Sequence, residues 1–540
     1  MLAKKRREIV TQAVIAALAG VLLLWGLTEK YLWQDEAATA VLAANMLKFG
    51  KPLAYDGVNL VTLDFFTGED SAILGERTRD PQAAVDYFVR RGDLKPDTAW
   101  KWQPWGQFAI AAAGLKLLGH NTLGARLPFA LAGLATVLLF YRLVREYCGG
   151  WLIATISALL LLTNSYWILH SRQCRYYSLS SLFLVVTLMA YLQWQQGRRW
   201  GAAAFVAAAW CCFQVDYGTV WPVFGVLFLD SAWARRRTFK QTVTAGMALA
   251  AAMAPFIYYY QLWGRRMAPA RSRLEIFNMN LFNVNEYVVP FVLLCGAAML
   301  VTWRWNGLAP PERHVIVIAC AVLMLLLLWV PAVSPDAFLR YVIMAAPLGS
   351  LLGGWFLVRA CPARLPWIAW VGALILIATP WLSLPGRAMV PAENQSESNG
   401  WWRSELPMLA AEVFGSRADP NRMTVEWLRR NALPADEILI NYEDLPLVFY
   451  LSNPIRGGIP AFRAEDDVKT PPRFAVLRRS VEFVHKAVFE REIGRYRWVE
   501  APVKIPDILW GNNPDPMMWQ NYPEEMTYLY LARRVDGPRQ

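Results

Sequence analysis

Asp35 and Glu36 are adjacent carboxylates in the stretch Leu32-Trp33-Gln34-Asp35-Glu36-Ala37-Ala38. The stretch follows directly on a long apolar run, so the pair falls where a membrane helix would leave the bilayer. Ionisable groups close to hydrocarbon are costly and mark functional positions. A carboxylate fixed at such a junction can act as a general base toward a hydroxyl group. A plainer reading fits the same residues: Asp35 as the N-cap of an Ala-rich helix over Glu36–Leu47. A second set is cationic. Arg172 and Arg175 lie in His170-Ser171-Arg172-Gln173-Cys174-Arg175-Tyr176-Tyr177, and Arg265, Arg266, Arg271 and Arg273 lie close together further on. Arg340 precedes Tyr341, and Lys101 sits within Trp100-Lys101-Trp102-Gln103-Pro104-Trp105. Guanidinium forks match phosphate. Pairing with carboxylates or lipid headgroups is the plainer account of the arginines, and interfacial anchoring that of the tryptophans.

The elements that must hold these residues are membrane helices. The chain has 540 residues, of which 56% are hydrophobic and 26 are Trp. Its mean hydropathy is +0.26. This composition excludes disorder and marks a polytopic membrane protein. The net charge of +12 is what basic cytoplasmic loops would give, and no nucleic-acid partner is inferred from it. A spanning helix needs roughly 20 mostly apolar residues. The first candidate is 9–31, preceded by Lys4, Lys5, Arg6 and Arg7; its length and the lack of a small-residue cleavage site point to a retained helix rather than a signal peptide. Ten more follow at 123–141, 152–169, 177–194, 201–216, 218–232, 242–260, 286–303, 313–330, 341–358 and 366–385. The segment 105–118 reaches only about 21 Å as a helix and is read as lying on the bilayer surface.

Charge decides that point. With 105–118 outside, Arg142/Arg145, Arg198/Arg199, Arg235–Arg237, Arg304/Arg313 and Arg359/Arg364 share one side with the N-terminal basic cluster, as the positive-inside rule requires. The cationic candidates above, on the opposite side, then break the rule and call for a reason; an anion bound there is one. The expected layout is a cytoplasmic N-terminus and first span (1–31), an exoplasmic loop carrying the acidic motif (32–122), a transmembrane body (123–385) and a periplasmic domain (386–540). The seven cysteines lie in or near the membrane, so the exported parts have no disulfide framework. A bacterial inner membrane fits. In the tail, Thr424–Asn431 reads as a helix, Glu437–Asn441 as a buried strand, Pro446–Leu451 as a short helix, and Arg473–Arg478 and Thr527–Ala532 as strands, which together make a small α/β domain. It has no phosphate-cradling Gly loop and no metal-spaced Cys/His set.

An outer acidic pair, outer arginines and a lipid-facing body suit transfer of a group from a lipid-linked phosphate. A carboxylate would deprotonate the acceptor hydroxyl, and arginines would stabilise the departing phosphate. At this point the chain resembles the GT-C integral-membrane glycosyltransferases, in the branch of protein O-mannosyltransferases and bacterial aminoarabinose transferases. The matching residues are Trp33-Gln34-Asp35-Glu36-Ala37 with Gly50-Lys51-Pro52, Lys101 with Pro104-Trp105, Gly124-Ala125-Arg126-Leu127-Pro128, Ser171-Arg172, Arg175-Tyr176-Tyr177-Ser178-Leu179, and Arg340-Tyr341 with Pro347. The resemblance covers roughly residues 9–360. It implies inverting transfer from a polyprenyl-phosphate sugar, with Asp35 as base, Glu36 beside it and Lys101 as the family's basic residue. Trp102-Gln103-Pro104 stands where the mannosyltransferases have His-Pro-Pro, and Arg175-Tyr176-Tyr177-Ser178 where the aminoarabinose transferases have an acidic residue. Candidate partners are the polyprenyl-phosphate-linked sugar, membrane lipids, and an acceptor that is lipid, glycan or protein. No cofactor follows from the residues, and the resemblance leaves a divalent metal open.

Two other classes compete. A transporter or flippase would show internal repeats and ionisable residues at mid-membrane, and the spans here carry few charges. A non-catalytic scaffold would leave the acidic pair and outer arginines without a role. The topology is checked by reporter fusions: a fusion after residue 120 should report the periplasm and one after residue 147 the cytoplasm. The reverse at either site overturns it.

Overall fold

The computed structural model describes residues 2–61, 85, 86, 88–90, 94–233, 239–262, 271–362, 364–391, 403, 405–415, 418–456, 472–478, 496–507 and 527–535. Arg265, Arg266, Trp401 and Trp402 lie outside the described residues, as do Asp64, Glu69, Asp70 and Asp80. The chain forms two compact units, Met1–Trp25 with Phe129–Val413, and Gly26–Pro128 with Phe414–Gln540. The expected outer loop and the expected tail domain therefore fold as one unit.

The first unit is a helical membrane body. Its elements are α1 (Leu2–Leu24), and, in part from the other unit, α4 (Thr122–Tyr147), which follows α2 (Gln34–Phe49) and α3 (Gly106–Leu118) in the chain. Then come α5 (Trp151–Leu162), α6 (Ser165–Ser171), α7 (Tyr177–Gln195), α8 (Gly201–Val215), α9 (Val220–Trp233) and α10 (Phe239–Tyr260). They are followed by α11 (Arg273–Tyr287), α12 (Phe291–Trp303), α13 (Pro310–Val333), α14 (Ala345–Ala360), α15 (Trp367–Ala378) and α16 (Leu384–Arg387). A helix occupies each of the eleven expected positions. Among the described residues five helices are long and apolar enough to cross a membrane singly, and up to eight are if each bent pair counts as one span. Where α14 crosses α5, a Cβ on Gly354 would lie 2.8 Å from the Ser157 backbone nitrogen, so only glycine fits.

Two of the expected spans, 152–169 and 366–385, are broken, and the expected span 286–303 meets a helix that precedes it at a third bend. The pairs α5/α6, α11/α12 and α15 with the following 381–387 segment bend by 71°, 81° and 84°. A break in an apolar medium frees backbone groups that must find partners within the protein. Here polar side chains supply them. Asn164 Oδ1 accepts from Trp167 N at 2.9 Å, while its Nδ2 donates to the Tyr287 carbonyl at 2.7 Å. Asn285 accepts from Phe291 N at 3.0 Å and donates to Ser383 O at 2.8 Å. Arg403 donates to the carbonyls of Leu376 and Thr379, each at 3.1 Å. Residues 273–287, read as outer loop, are helical: Ser272 and Glu275 form a reciprocal N-cap, and of the buried asparagines Asn283 donates to the Ala337 carbonyl at 3.1 Å and Asn285 to that of Ser383 at 2.8 Å.

The second unit combines α2 and α3 with the tail. Ala37, Ala40 and Ala43 are fully buried, and these small side chains let α2 pack closely. Gly50 ends α2 at φ 77°, with its N–H on the Met46 carbonyl at 2.9 Å. The tail holds α17 (Glu405–Phe414, reaching in from the first unit), α18 (Pro420–Asn431), β1 (Ile438–Ile440), α19 (Asp444–Tyr450), β2 (Ile455–Arg456), β3 (Phe474–Leu477), β4 (Arg497–Glu500), β5 (Pro506–Asp507), β6 (Thr527–Tyr528) and β7 (Tyr530–Val535). Its main sheet has the order β2-β1-β3-β7-β4, with β1 parallel to both β2 and β3. The expected helices and strands are present, and the last strand is divided between β6 and β7.

The C-terminal ends of the parallel strands β1 and β3 are where open α/β sheets take ligands. Here that point is filled. Arg478 donates to Asp507 Oδ1 at 2.8 Å and also pairs with Glu443, all three buried. Glu443 holds φ 61°, and Asn441 exchanges two hydrogen bonds with the Arg478 backbone at 2.7 and 3.1 Å. Removing one partner of a buried ion cluster costs about 3–5 kcal/mol. Arg478→Ala should therefore lower by that amount the stability of the tail, measured as protease resistance of the full-length protein against urea; unchanged resistance would show the cluster to be idle.

Candidate active site

The apolar run of α1 ends at Leu24, earlier than the expected residue 31, and residues 25–33 leave the helix before α2 begins at Gln34. Residues 31–33 are not helical, so every backbone group there needs a partner from elsewhere. Arg126, in the first turns of α4, supplies much of this. Its Nη1 donates to the carbonyls of Leu27 at 3.0 Å and Lys30 at 2.8 Å, and Nη2 to that of Tyr31 at 3.3 Å. The same guanidinium forks onto Glu36, with Nε on Oε1 at 2.8 Å and Nη2 on Oε2 at 2.6 Å. All five N–H groups of Arg126 are thus engaged. Glu36 is fully buried, 0% exposed, and also accepts from Trp33 N at 3.5 Å. The two carboxylates of the motif differ in environment: Glu36 is committed to Arg126, whereas Asp35 is half-buried in the first turn of α2.

Lys101 belongs to the same unit and is 5% exposed. In its stretch, Trp100 Nε1 and both amide atoms of Gln107 are buried without a hydrogen-bond partner. Trp105 Nε1 donates to the Trp100 carbonyl at 2.7 Å and bends this segment into α3. At thirteen residues α3 is a short apolar helix.

In the first unit the arginines separate into two groups. Arg172 does not present its fork to a ligand pocket: its Nη atoms donate to the carbonyls of Leu22 and Trp25, each at 2.6 Å, at the end of α1. Arg273 does the same at the end of α13, reaching Pro331 O at 3.0 Å and Ser334 O at 2.6 Å. Arg271 pairs with Asp336 at 3.4 Å. Arg172 and Arg273 are thus engaged by helix C-termini, which expose unpaired carbonyls and partial negative charge, and Arg271 by a carboxylate. Arg175 and Arg340 are different. Tyr176, beside Arg175, lies close enough to Asp216 and Tyr341 to interact electrostatically. Arg340 is 8% exposed and stacks on Phe338, 4.2 Å from the ring centroid, with Tyr341 at 5.7 Å. Tyr166 in α6 donates to the Leu339 carbonyl and so ties the 339–342 turn to the segment carrying Arg175. Asp216, absent from the sequence-derived set, accepts from Gly218 N at 3.0 Å and Thr219 Oγ1 at 2.5 Å. Its position as a carboxylate between two apolar helices was the available signal. Among the described residues no group of three His, Cys, Asp or Glu side chains could hold a metal ion.

Residues 103–260 match the family model described as dolichyl-phosphate-mannose-protein mannosyltransferase. The chain is similar in fold to ArnT from Cupriavidus metallidurans in the apo state, with a TM-score of 0.57 and 13% identity over 99% of this chain and 100% of that one. The same protein bound to undecaprenyl phosphate gives a TM-score of 0.54 and 14% identity, covering 98% and 99%. A comparison with curated protein sequences returns no match. The chain shares the fold of these ArnT structures, a helical membrane body with a small sheet domain in its C-terminal part, and the fold expected from the resemblance is borne out.

The Arg126 fork has a direct test. Arg126→Lys keeps the charge but cannot reach two carboxylate oxygens and three carbonyls together. It should destabilise the protein by about 3 kcal/mol or more, as for one broken member of a buried pair. A thermal melt of the detergent-solubilised variant within a degree or two of wild type would remove the fork from its holding role.

Proposed function

We propose that the chain is a membrane glycosyltransferase that moves a sugar from a polyprenyl-phosphate donor to an acceptor hydroxyl, with inversion. Asp35 accepts the hydroxyl proton, and Glu36 supports it by fixing the start of α2. Lys101, Arg175 and Arg340 neutralise the donor phosphate as it departs, and the Tyr341 hydroxyl donates a hydrogen bond to it. The observation that carries this reading is the division of labour in the acidic pair. Glu36 is locked by Arg126, and Asp35 stands half-buried at a rigid helix start. A base needs about 2.6–3.2 Å to its proton donor, and a rigid junction can maintain that distance. Inversion is what the resemblance implies: the acceptor oxygen attacks the anomeric carbon directly, and one such displacement inverts the configuration. The C–O bond to the phosphate breaks with both electrons going to the phosphate oxygen, while the acceptor proton passes to Asp35. The match over 103–260 to a family acting on dolichyl-phosphate mannose, and the undecaprenyl phosphate in the similar ArnT structure, support a lipid-phosphate donor. The charge pattern supports a reaction at the periplasmic face of a bacterial inner membrane, with the C-terminal domain outside.

Asp35→Asn preserves shape and removes basicity. It should lower kcat by at least about 10²-fold, since general base catalysis contributes roughly 10²–10⁴, and leave donor binding intact. Near-wild-type turnover with a lipid-linked sugar and a competent acceptor would move the base elsewhere. Arg340→Ala should raise the donor KM by about ten- to a hundredfold, the value of a charge-assisted contact of about 1.5–3 kcal/mol. Unchanged donor kinetics would remove Arg340 from the site.

A further inference from the structure

The segment that carries Asp35 is held from one side by Arg126 and Glu36. Its remaining backbone groups are held by residues some four hundred positions away in the chain. Tyr31 N donates to Asp419 Oδ2 at 2.6 Å. Leu32 N donates to the Tyr450 hydroxyl at 3.1 Å, and the Leu32 carbonyl accepts from Asn421 Nδ2 at 3.1 Å. Gln34, the residue before Asp35, meets α19 twice: its Nε2 donates to Asp444 Oδ1 at 2.8 Å and its Oε1 accepts from Leu445 N at 3.3 Å. The Tyr31 ring stacks on Tyr450 at 3.9 Å. The Tyr450 hydroxyl also bonds Thr122 Oγ1 at 2.7 Å, just ahead of the turn that bears Arg126.

The contacts of Gln34 and Asn421 are buried, and those of Asp419 and Tyr450 are part-buried. Gln34, Asn421 and Asp444 are each under 5% exposed. They radiate from the C-terminal edge of the sheet, whose ligand crevice is filled by the Arg478 cluster. Asn421 joins the two, because its Oδ1 accepts from Arg478 Nη1 at 3.3 Å. The edge at which an α/β domain ordinarily meets a small molecule is here turned to the polypeptide that bears the acidic pair.

We infer that the tail domain is the positioning element of the Asp35 segment, with Tyr450, Asp444 and Asn421 as positioning residues that fix residues 31–34 and so the direction of Asp35. This rests on the reading of Asp35 as the base. Asp419 contributes as a bridge, since its other oxygen caps α18 by accepting from Arg422 N at 2.9 Å. The residues act through the backbone of the segment and do not themselves meet substrate.

The test uses full-length protein and two readouts. Tyr450→Phe removes the hydroxyl and keeps the stacked ring, and Asp444→Ala removes the acceptor for Gln34. Each should increase hydrogen–deuterium exchange in the peptide covering 30–36. Each should lower kcat by about ten- to a hundredfold, the scale of a misplaced catalytic group, with the donor KM held within about twofold of wild type. The double exchange Gln34→Glu with Asp444→Asn reverses donor and acceptor across the same contact, and should restore both readouts relative to Asp444→Ala. A merely structural role would lower the melting temperature and the yield but leave kcat per folded molecule unchanged, which would overturn the inference. Unchanged exchange in both single variants would also overturn it. If the wild-type protein transfers no sugar, the reading of Asp35 falls, and the exchange measurement alone then decides whether the tail holds the segment.

Discussion

A helix that ends leaves up to four carbonyls without intrahelical partners, and hydrocarbon offers none in exchange. Much of this structure is organised around that deficit. Arg126 takes the carbonyls of Leu27, Lys30 and Tyr31, Arg172 those at the end of α1, Arg273 those at the end of α13, and Arg403 those at the end of α15. A guanidinium suits the task because its donors are many, planar and spread, and its charge complements the negative end of the helix dipole. The arginines that break the charge asymmetry of the loops thus have a structural reason in these cases. Anion binding remains the proposal for Arg175 and Arg340, which lie beside aromatic rings.

The same deficit links the acidic motif to its surroundings. Chain leaving α1 must turn before α2 can start, and the turn has no regular hydrogen bonds of its own. Side chains from α4, α18 and α19 take over each group in sequence. Glu36 closes the arrangement by pairing with the arginine that holds the preceding carbonyls. A rigid carboxylate position in Asp35 is the by-product of satisfying a loop, and this is how a fold can supply catalytic precision without a dedicated binding residue.

The helices were legible because runs of apolar residues leave one choice of structure in a bilayer. The strand at Glu437–Asn441 was legible as a short buried run, and β1 occupies its centre. The breaks were not. The run 152–169 is apolar almost throughout, and Asn164 signals a bend only once its two hydrogen bonds are seen. Residues 273–287 looked like loop because they are rich in asparagine, and the partners that make a polar helix tolerable lie far away in the chain. Arg172 and Arg273 could be read as cations but not as helix caps, since spacing does not tell a phosphate from a row of carbonyls. Arg126 was visible only as part of a matching motif. The union of the outer loop and the tail in one unit had no local signal, because each contact joins residues roughly four hundred apart.

The fork on Glu36 has a consequence for how this protein responds to its environment. A guanidinium does not lose its proton at any pH an enzyme meets, and its five donors are divided between one carboxylate and three carbonyls. The carbonyls do not titrate either. The scaffold beneath Asp35 is therefore built mainly from groups with fixed charge, and it does not soften as the medium turns alkaline. On the proposed reading of Asp35 as the base, the basic limb of a turnover profile would read the reacting groups and not the gradual loss of the support that aims them.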